Sequence, residues 1–484
     1  METGSDLKNR TAKGIGWGFV DNIMNTGFMA LVNIVLARLL SPAEFGLVGM
    51  STIFITLSNS LVDSGFTGAL TRKKNAGEKD FNTVFYFNFG VSLLLYAVLY
   101  FCAVPISSFF RQPVLAQIIR IIGLSLIINA LSIVQKVILI RKIDFRTQAI
   151  VSGISSVAAA LSGIVLAVCG YGVWSLVVMQ ISRLAVNTVL LWIFSKWHPS
   201  FVFSFSSFRE MFAFGGRLLL TSLVSTVWNE IYSLIIGRMY TPGILGQYNR
   251  AEKIKGMVTS NVSIVMQRVS YPVLSSVSDE REREIRVYRK VLKTTVIISF
   301  TLVLGMAAAS EALVLTLIGG QWLQCVEYLR ILCFSGIFLP LMICSANVIN
   351  ANGRSDITFY LELIKVASAG IPVLLGIFLS VEWLLWGIVA ASFLSYMFHA
   401  MYVSKVIGYK VSEQFRDIFP ILAISAAMAL AVYALSFIDL PALPMLLLQI
   451  SAGAGIVFAV YGLVYRCEEY EDIKGHLLGI LRRK

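Results

Sequence analysis

Charged residues are scarce in this chain, and the residues that usually carry out chemistry are scarcer still. Charged side chains make up 14% of the 484 residues, and there are only three His. The six Cys show neither the spacing of metal ligands nor a redox Cys-x-x-Cys pair. No Gly-x-x-x-x-Gly-Lys-Ser/Thr phosphate-binding loop occurs, which excludes ATP hydrolysis by this chain. We therefore expect no metal, no cofactor and no enzymatic activity.

Apolar residues are abundant instead. They form 57% of the chain, above the roughly 45–50% that is typical of soluble domains. Apolar segments long enough to span a bilayer, about 20 residues each, lie near 14–39, 43–70, 81–108, 115–140, 147–169, 174–195, 211–240, 244–275, 293–318, 323–351, 357–379, 383–404, 418–436 and 445–465. We predict an all-α polytopic membrane protein with about fourteen transmembrane helices.

Basic residues are unevenly distributed between the connections. Most of the 40 Lys and Arg lie at the N-terminus, in alternate connections and in the tail after Tyr465, whereas the opposite connections carry only Arg111. Because Lys and Arg are enriched in cytoplasmic loops, we expect both termini to be cytoplasmic. Topology thus explains the net charge of +13 without a nucleic-acid partner. The opposite connections are only a few residues long, which weighs against an enzyme acting at the outer face.

One motif occurs twice, 200 residues apart in the sequence. Ala37–Gly46 reads ARLLSPAEFG, and Gly237–Gly246 reads GRMYTPGILG. Each copy ends an apolar segment, and Pro42 or Pro242 fixes φ and lacks a backbone N–H where the next helix begins. Each copy therefore predicts a hairpin of two helices joined by a tight turn.

A second pair of similar turns favours a duplication. Arg141–Asp144 and Gly353–Asp356 are both short, basic-acidic and displaced by roughly the same period. We interpret spans one to six and seven to twelve as two parallel six-helix lobes, with two helices added and the substrate site between the lobes. The predicted parts are 1–200 and 201–410 for the lobes, 411–465 for the added helices and 466–484 for a cytoplasmic tail.

Two predicted helices carry a polar face with the same spacing. In the second span it consists of Thr52, Thr56, Asn59 and Asp63, and in the seventh of Ser222, Thr226, Asn229 and Ser233. A polar face turned towards lipid would leave its groups unsatisfied, so both must face protein or water. For the neutral residues two interpretations stay open, which are contacts between helices and the lining of a transport path.

Ionisable residues near these faces favour a transport path. A charge within the membrane costs at least about 2.5 kcal/mol and usually has a functional role. The residues predicted to couple transport to H⁺ or Na⁺ are Asp21, Asp63 and Glu230. The residues of these helices predicted to line the substrate cavity are Asn59, Arg217 and Asn229.

The eighth span is unusually cationic. Arg250 and Arg268 are 18 residues apart, five full turns, so they project from one face about 27 Å apart. Lys253 and Asn261 lie near that face. Because guanidinium groups match phosphate oxygens in pairs, we predict that these four residues bind a diphosphate and its glycan. In the alternative interpretation, Arg250 and Arg268 extend to opposite membrane interfaces, since their separation nearly equals the bilayer core thickness.

Four features of the sequence together resemble those of a known family. They are the repeated Arg-x-x-Ser/Thr-Pro-x-x-x-Gly hairpin, the opening Lys13-Gly14-Ile-Gly16-Trp17, the cationic eighth span and the number of spans. The chain resembles polysaccharide flippases of the Wzx type, in the colanic-acid-exporter-like branch of the multidrug/oligosaccharidyl-lipid/polysaccharide exporter superfamily. This implies a V-shaped, MATE-like alternating-access transporter of the bacterial inner membrane. It would move undecaprenyl-diphosphate-linked oligosaccharide outwards for O-antigen, capsule or exopolysaccharide biosynthesis.

The resemblance also implies partners. These are the lipid-linked oligosaccharide, membrane lipids, and the polysaccharide polymerase with its chain-length machinery, around a monomeric transporter. A MATE-type multidrug/cation antiporter is the alternative, and it would need an acidic cavity rather than a cationic one. A membrane-embedded glycan polymerase or transferase is a further class, and it would need a large folded outer loop.

Overall fold

The computed structural model describes residues 23–63, 65–73 and 75–464, and within these residues all regular structure is helical. Two compact units divide the chain, Met1–Gly246 and Gln247–Lys484. The first contains α1 (Met29–Leu39), α2 (Pro42–Asp63), α3 (Phe66–Arg72), α4 (Glu78–Phe110), α5 (Val114–Arg141), α6 (Phe145–Val168), α7 (Val173–Ser195) and α8 (Phe205–Met239). The all-α prediction is confirmed.

Helix α9 (Pro242–Ser275) begins in the first unit and continues into the second. It is followed by α10 (Arg281–Ala308), α11 (Ser310–Leu317), α12 (Leu323–Gly336), α13 (Phe338–Ala351), α14 (Ser355–Ser368), α15 (Gly370–Phe378), α16 (Val381–Ile407), α17 (Val411–Ala434) and α18 (Ala442–Ala459). The lobe boundaries expected at residues 200 and 410 stay a prediction, and the tail 466–484 lies outside the described residues.

Eleven helical segments among the described residues are long and apolar enough to cross a membrane. Three more of the predicted spans are helical in the part of the chain that the structure describes, although they are not among these eleven. The described part of the first is the shorter apolar helix Thr26–Leu39. The other two are α8, with 35 residues, and α9, with 34. At about 1.5 Å per residue both helices are longer than the bilayer core, and α9 carries many polar residues along its length.

The two copies of the repeated hairpin contact each other within the first unit. Helix α2 begins at Pro42 and α9 at Pro242, as the sequence predicts. A Cβ atom on Gly46 would overlap the carbonyl group of Pro242, and one on Gly246 would overlap the carbonyl group of Pro42. The motif therefore ends in glycine in both copies because each turn packs against the backbone of the other.

The two basic-acidic turns differ in how they are stabilised. Asp144 caps α6, since its carboxylate accepts a hydrogen bond from the Thr147 amide at 3.1 Å. In the other turn the Asp356 carboxylate pairs with Arg354 instead, at 3.1 Å. Each turn contains one residue with positive φ, Ile143 at 56° and Gly353 at 72°. Only the glycine adopts that conformation without steric cost.

An ionic cluster anchors the connection between α3 and α4 to the beginning of α8. The Lys73 ammonium lies 2.8 Å from a Glu210 oxygen and 3.1 Å from an Asp80 oxygen. The hydrogen bond to Glu210 is the main cause that raises the pKa of Lys73. Arg141, at the end of α5, donates to the Lys73 carbonyl in this connection at 2.5 Å and to the Leu70 carbonyl of α3 at 2.7 Å. The basic connection is thus held against three helices.

Candidate functional site

The polar face of α2 packs against α5 and α8 inside the first unit. The half-buried Asn59 accepts a hydrogen bond from the Asn129 amide of α5 at 3.0 Å. Ser60 and Thr226 form a hydroxyl–hydroxyl hydrogen bond of 3.2 Å between α2 and α8. Thr226 of the predicted α8 face therefore contacts α2 through Ser60, which the sequence analysis did not include, whereas Asn59 of the predicted α2 face contacts α5. These neutral contacts are of the kind that holds membrane helices to one another.

Asp63 lies where α2 ends, and its carboxylate is bonded locally. It accepts hydrogen bonds from the backbone amide of Thr67, at 3.3 Å, and from the hydroxyl of the same residue. The chain turns at Gly65, where φ is 70°, and a Cβ there would lie 2.6 Å from the carbonyl oxygen of Gly215. Asp63 thus lies two residues before a turn at which Gly65 is required, because both the positive φ and the close approach of α8 disfavour a side chain there.

The ionisable residues of α8 differ from Asp63 in their surroundings. Glu230 is half-buried, and no hydrogen bond or ion pair joins its carboxylate to another described residue. Asn229, one position earlier, is exposed. Arg217 lies within α8, but its side chain is outside the described part of the structure, as is the whole of Asp21. Of the two predicted coupling residues that the structure describes, Asp63 is hydrogen-bonded locally, whereas Glu230 has no hydrogen-bond or ion-pair partner among the described residues.

Arg250 is held in the interior of the second unit. Its side chain is 7% exposed, and the guanidinium lies over the ring of Trp322, 5.2 Å from the ring centre. Gln247, one turn earlier on α9, spans the same region: it donates to the Gln321 carbonyl at 2.9 Å and accepts from the Cys325 amide at 3.0 Å. These bonds fix the start of α9 against the segment that leads into α12.

The other polar residues predicted on α9 are exposed. Lys253, Asn261 and Arg268 are all exposed, and the Asn261 amide donates to the Met257 carbonyl of its own helix at 2.6 Å. Lys255 pairs with Glu252 at 2.7 Å, as their positions on the helix suggest. Arg250 and Arg268 therefore differ in burial, although both are on α9: Arg250 is buried and Arg268 is exposed. Exposed cations can reach an anionic ligand, whereas a guanidinium stacked on a buried indole supports the fold around it.

Sequence reasoning missed Asn129 and Trp322, the partners of Asn59 and Arg250. A weak signal exists for Asn129, because Ser132 and Lys136 continue a polar line on α5 at helical spacing. Trp322 gives no comparable signal, since an aromatic residue next to a short turn is common in membrane proteins. Both partners are distant in sequence from the residues that they contact.

The family described as "Polysaccharide biosynthesis protein" matches residues 35–327, more than half of the chain. The teichuronic acid biosynthesis protein TuaB of Bacillus subtilis is 27% identical, over 89% of this chain and 90% of that protein. The lipopolysaccharide biosynthesis protein WzxC of Escherichia coli is 23% identical, over 74% and 73%. The succinoglycan biosynthesis transport protein ExoT of Rhizobium meliloti is 25% identical, also over 74% and 73%.

Solved structures share the fold over nearly their whole length. The lipid II flippase MurJ in an inward closed conformation superposes with a TM-score of 0.72, covering 94% of this chain and 99% of that one at 16% identity. An inward-facing multidrug resistance MATE transporter of the MOP superfamily superposes with a TM-score of 0.61, covering 81% and 98%, also at 16% identity. From the match over residues 35–327, this chain belongs to the polysaccharide biosynthesis protein family.

Proposed function

We propose that this protein is a flippase that moves an undecaprenyl-diphosphate-linked oligosaccharide across the bacterial inner membrane for surface polysaccharide biosynthesis. The main support is that relatives named for polysaccharide biosynthesis and transport match most of the chain. The fold is one that also serves a lipid II flippase. Movement is by alternating access, without catalysis, and the transporter acts as a monomer beside a polysaccharide polymerase and its chain-length machinery.

The exposed cations of α9 are the groups best placed to hold the diphosphate. Arg268 offers a planar fork that pairs with phosphate oxygens, and Lys253 adds a second charge. Asn261, also exposed, supplies an amide for sugar hydroxyls. Arg250 is itself part of α9, and its contact with Trp322 is assigned the role of fixing the beginning of this helix. On the first unit, Asn59, Arg217 and Asn229 complete the proposed set.

Coupling to an ion gradient is assigned to the acidic residues. Glu230 is the leading candidate because it is half-buried and no cation among the described residues pairs with its carboxylate, which leaves that carboxylate able to take up a proton or Na⁺. Asp63 and Asp21 are the other members of the set. A membrane potential supplies about 2.3 kcal/mol per charge per 100 mV, enough to drive an exchange of this kind.

The proposal is tested by complementation of a host that lacks its own polysaccharide flippase. Expression of this chain should restore surface polysaccharide and remove the lipid-linked oligosaccharide that accumulates on the cytoplasmic leaflet. The double variant Lys253→Ala, Arg268→Ala should fail to do so at a normal membrane level. A charge-matched control is Arg283→Ala, Arg286→Ala, which also removes two positive charges from exposed positions. Failure of the unaltered chain with every tested repeat unit would contradict the proposal.

A MATE-type antiporter is the second candidate, favoured by the fold shared with the multidrug transporter. Such a protein needs an acidic, net-negative cavity for cationic drugs, and the exposed Lys253 and Arg268 oppose it. Expression in a dye-sensitive host separates the two functions. Increased dye resistance with unchanged surface polysaccharide would support the antiporter.

A further inference from the structure

A cavity of about 580 Å³ lies in the second unit, where the turn after α13 meets the last turns of α16. Its polar and aromatic lining consists of Asn352, Arg354, Asp356, Tyr360, Tyr402 and Lys405. None of these residues belongs to the set assigned to transport. The lining combines two cations, one carboxylate and two phenol rings, a composition suited to an anion attached to an apolar body.

The two cations retain most of their capacity to bind an anion. The Arg354 guanidinium makes two bonds of 3.1 Å to the Asp356 carboxylate, and three of its five N–H donors remain. Both of these side chains are 54% exposed, so water weakens their pairing. The Lys405 ammonium lies 5.0 Å from the centre of the Tyr402 ring, and no carboxylate among the described residues pairs with it. The lining thus has a formal charge of +1, which matches the single negative charge of a phosphodiester.

The turn that forms one wall of the cavity is anchored from behind. The Asn352 amide donates to the carboxylate of Glu284, which is fully buried, and to the Val348 carbonyl at 2.9 Å. Across the turn, the Thr358 hydroxyl donates to the Asn350 amide oxygen at 2.8 Å. With both of its N–H groups used, Asn352 keeps its amide oxygen as an acceptor for a ligand hydroxyl. The wall is therefore formed before any ligand binds.

Aromatic residues indicate the depth of the cavity in the membrane. Tyr360 is 57% exposed and the adjacent Phe359 is 63% exposed. Tyr360 lies five residues into α14, about 8 Å along the helix, and tyrosine rings concentrate at the level of lipid headgroups. The turn at 352–356 and the connection at 404–417 belong to the basic, cytoplasmic set predicted from the sequence. On this predicted topology, the cavity lies at the cytoplasmic interface.

We propose that this cavity binds the headgroup of an anionic glycerophospholipid of the cytoplasmic leaflet. The phosphate lies between Arg354 and Lys405, and the acyl chains extend past Tyr360 and Phe359 into the bilayer. A purely topological role for the two cations would account for their charge, but not for a cavity, its phenol rings or its anchored wall. The assignment does not depend on what the protein transports.

The test measures lipid binding to the purified full-length chain by native mass spectrometry. Phosphatidylglycerol is compared with phosphatidylcholine of the same acyl chains, whose choline cancels the phosphate charge, and with inorganic phosphate as a soluble anion. We expect phosphatidylglycerol to bind preferentially and millimolar inorganic phosphate not to displace it. Displacement by inorganic phosphate would overturn the lipid assignment in favour of a soluble anion.

Three variants make the test specific. Arg354→Gln, Lys405→Gln should weaken phosphatidylglycerol binding by about ten-fold, since each cation near the membrane surface contributes substantially. The matched control Arg283→Gln, Arg286→Gln removes the same charge from exposed cytoplasmic positions outside the cavity and should bind as the unaltered chain does.

Asp356→Asn should bind phosphatidylglycerol a few-fold more tightly, because it frees the Arg354 fork, and misfolding cannot produce that gain. Unchanged binding in the first variant, or an equal loss in the control, would overturn the proposal.

Discussion

Replacing Arg250 by Ala should lower the stability of the fold, whereas replacing Arg268 by Ala should impair transport and leave stability nearly unchanged. The difference is expected because only Arg250 is buried. Arg250→Ala removes a desolvated cation–π contact with Trp322, worth about 2 kcal/mol. It also removes two buried methylene groups, Cγ and Cδ, at about 0.8 kcal/mol each. We expect the free energy of unfolding to fall by about 2–4 kcal/mol, whereas Arg268→Ala at an exposed position should change it by about 0.5 kcal/mol or less. Arg250→Met, which keeps the apolar stem, should recover about half of the loss.

Two measurements on the same variants test this reasoning. A change of 1 kcal/mol shifts the unfolding midpoint of a unit of this size by about 2–4 °C, so Arg250→Ala should melt several degrees lower in detergent. Arg268→Ala should melt normally and accumulate lipid-linked oligosaccharide on the cytoplasmic leaflet, and Arg268→Lys should restore transport only in part because it lacks the bidentate fork. If Arg250→Ala melts like the unaltered chain, or if Arg268→Ala transports normally, the structural role of Arg250 or the binding role of Arg268 is refuted.

Three further predictions concern topology and the repeated turns. Tags at residues 75 and 280 and at the C-terminus should be protected in intact cells, and membrane-impermeant labelling of any one would refute the assigned orientation. Pro42→Ala should cost at most about 1 kcal/mol, since a helix begins there; severe loss of protein from the membrane would imply a different role. Gly46→Ala should lower the membrane level several-fold because its Cβ meets a backbone carbonyl. Gly90→Ala, with nothing within 4 Å, is the matched control, and equal losses in both would contradict the argument.

The repeated turns could be predicted from the sequence because their cause is local. Proline lacks an N–H and fixes φ, so the start of a helix at Pro42 and Pro242 follows from covalent structure alone. The polar faces of α2 and α8 could also be predicted from the sequence, since helical spacing determines which residues share a face. The seventh and eighth spans, which are α8 and α9, could also be identified from their place in the repeat, although α9 is rich in polar residues.

The surroundings of Arg250 could not be predicted in this way. Periodicity gives the direction of a side chain about its own helix axis, and it does not identify what lies opposite. Trp322 is 72 positions further along the chain, and Asn129 is 70 positions from Asn59, so both contacts depend on tertiary packing. Arg250 and Arg268 therefore looked equivalent in the sequence while their burial differs.

The contact between the two hairpin turns limits which substitutions either copy of the motif can accept. Each glycine fits the carbonyl group of the other copy's proline, so the contact is reciprocal, as in a twofold-symmetric dimer interface. A bulkier residue at Gly46 is therefore opposed by the turn at Pro242, 196 positions away, and a compensating change must occur in the other copy. Separating the two turns would therefore break both glycine–proline contacts, not one of them.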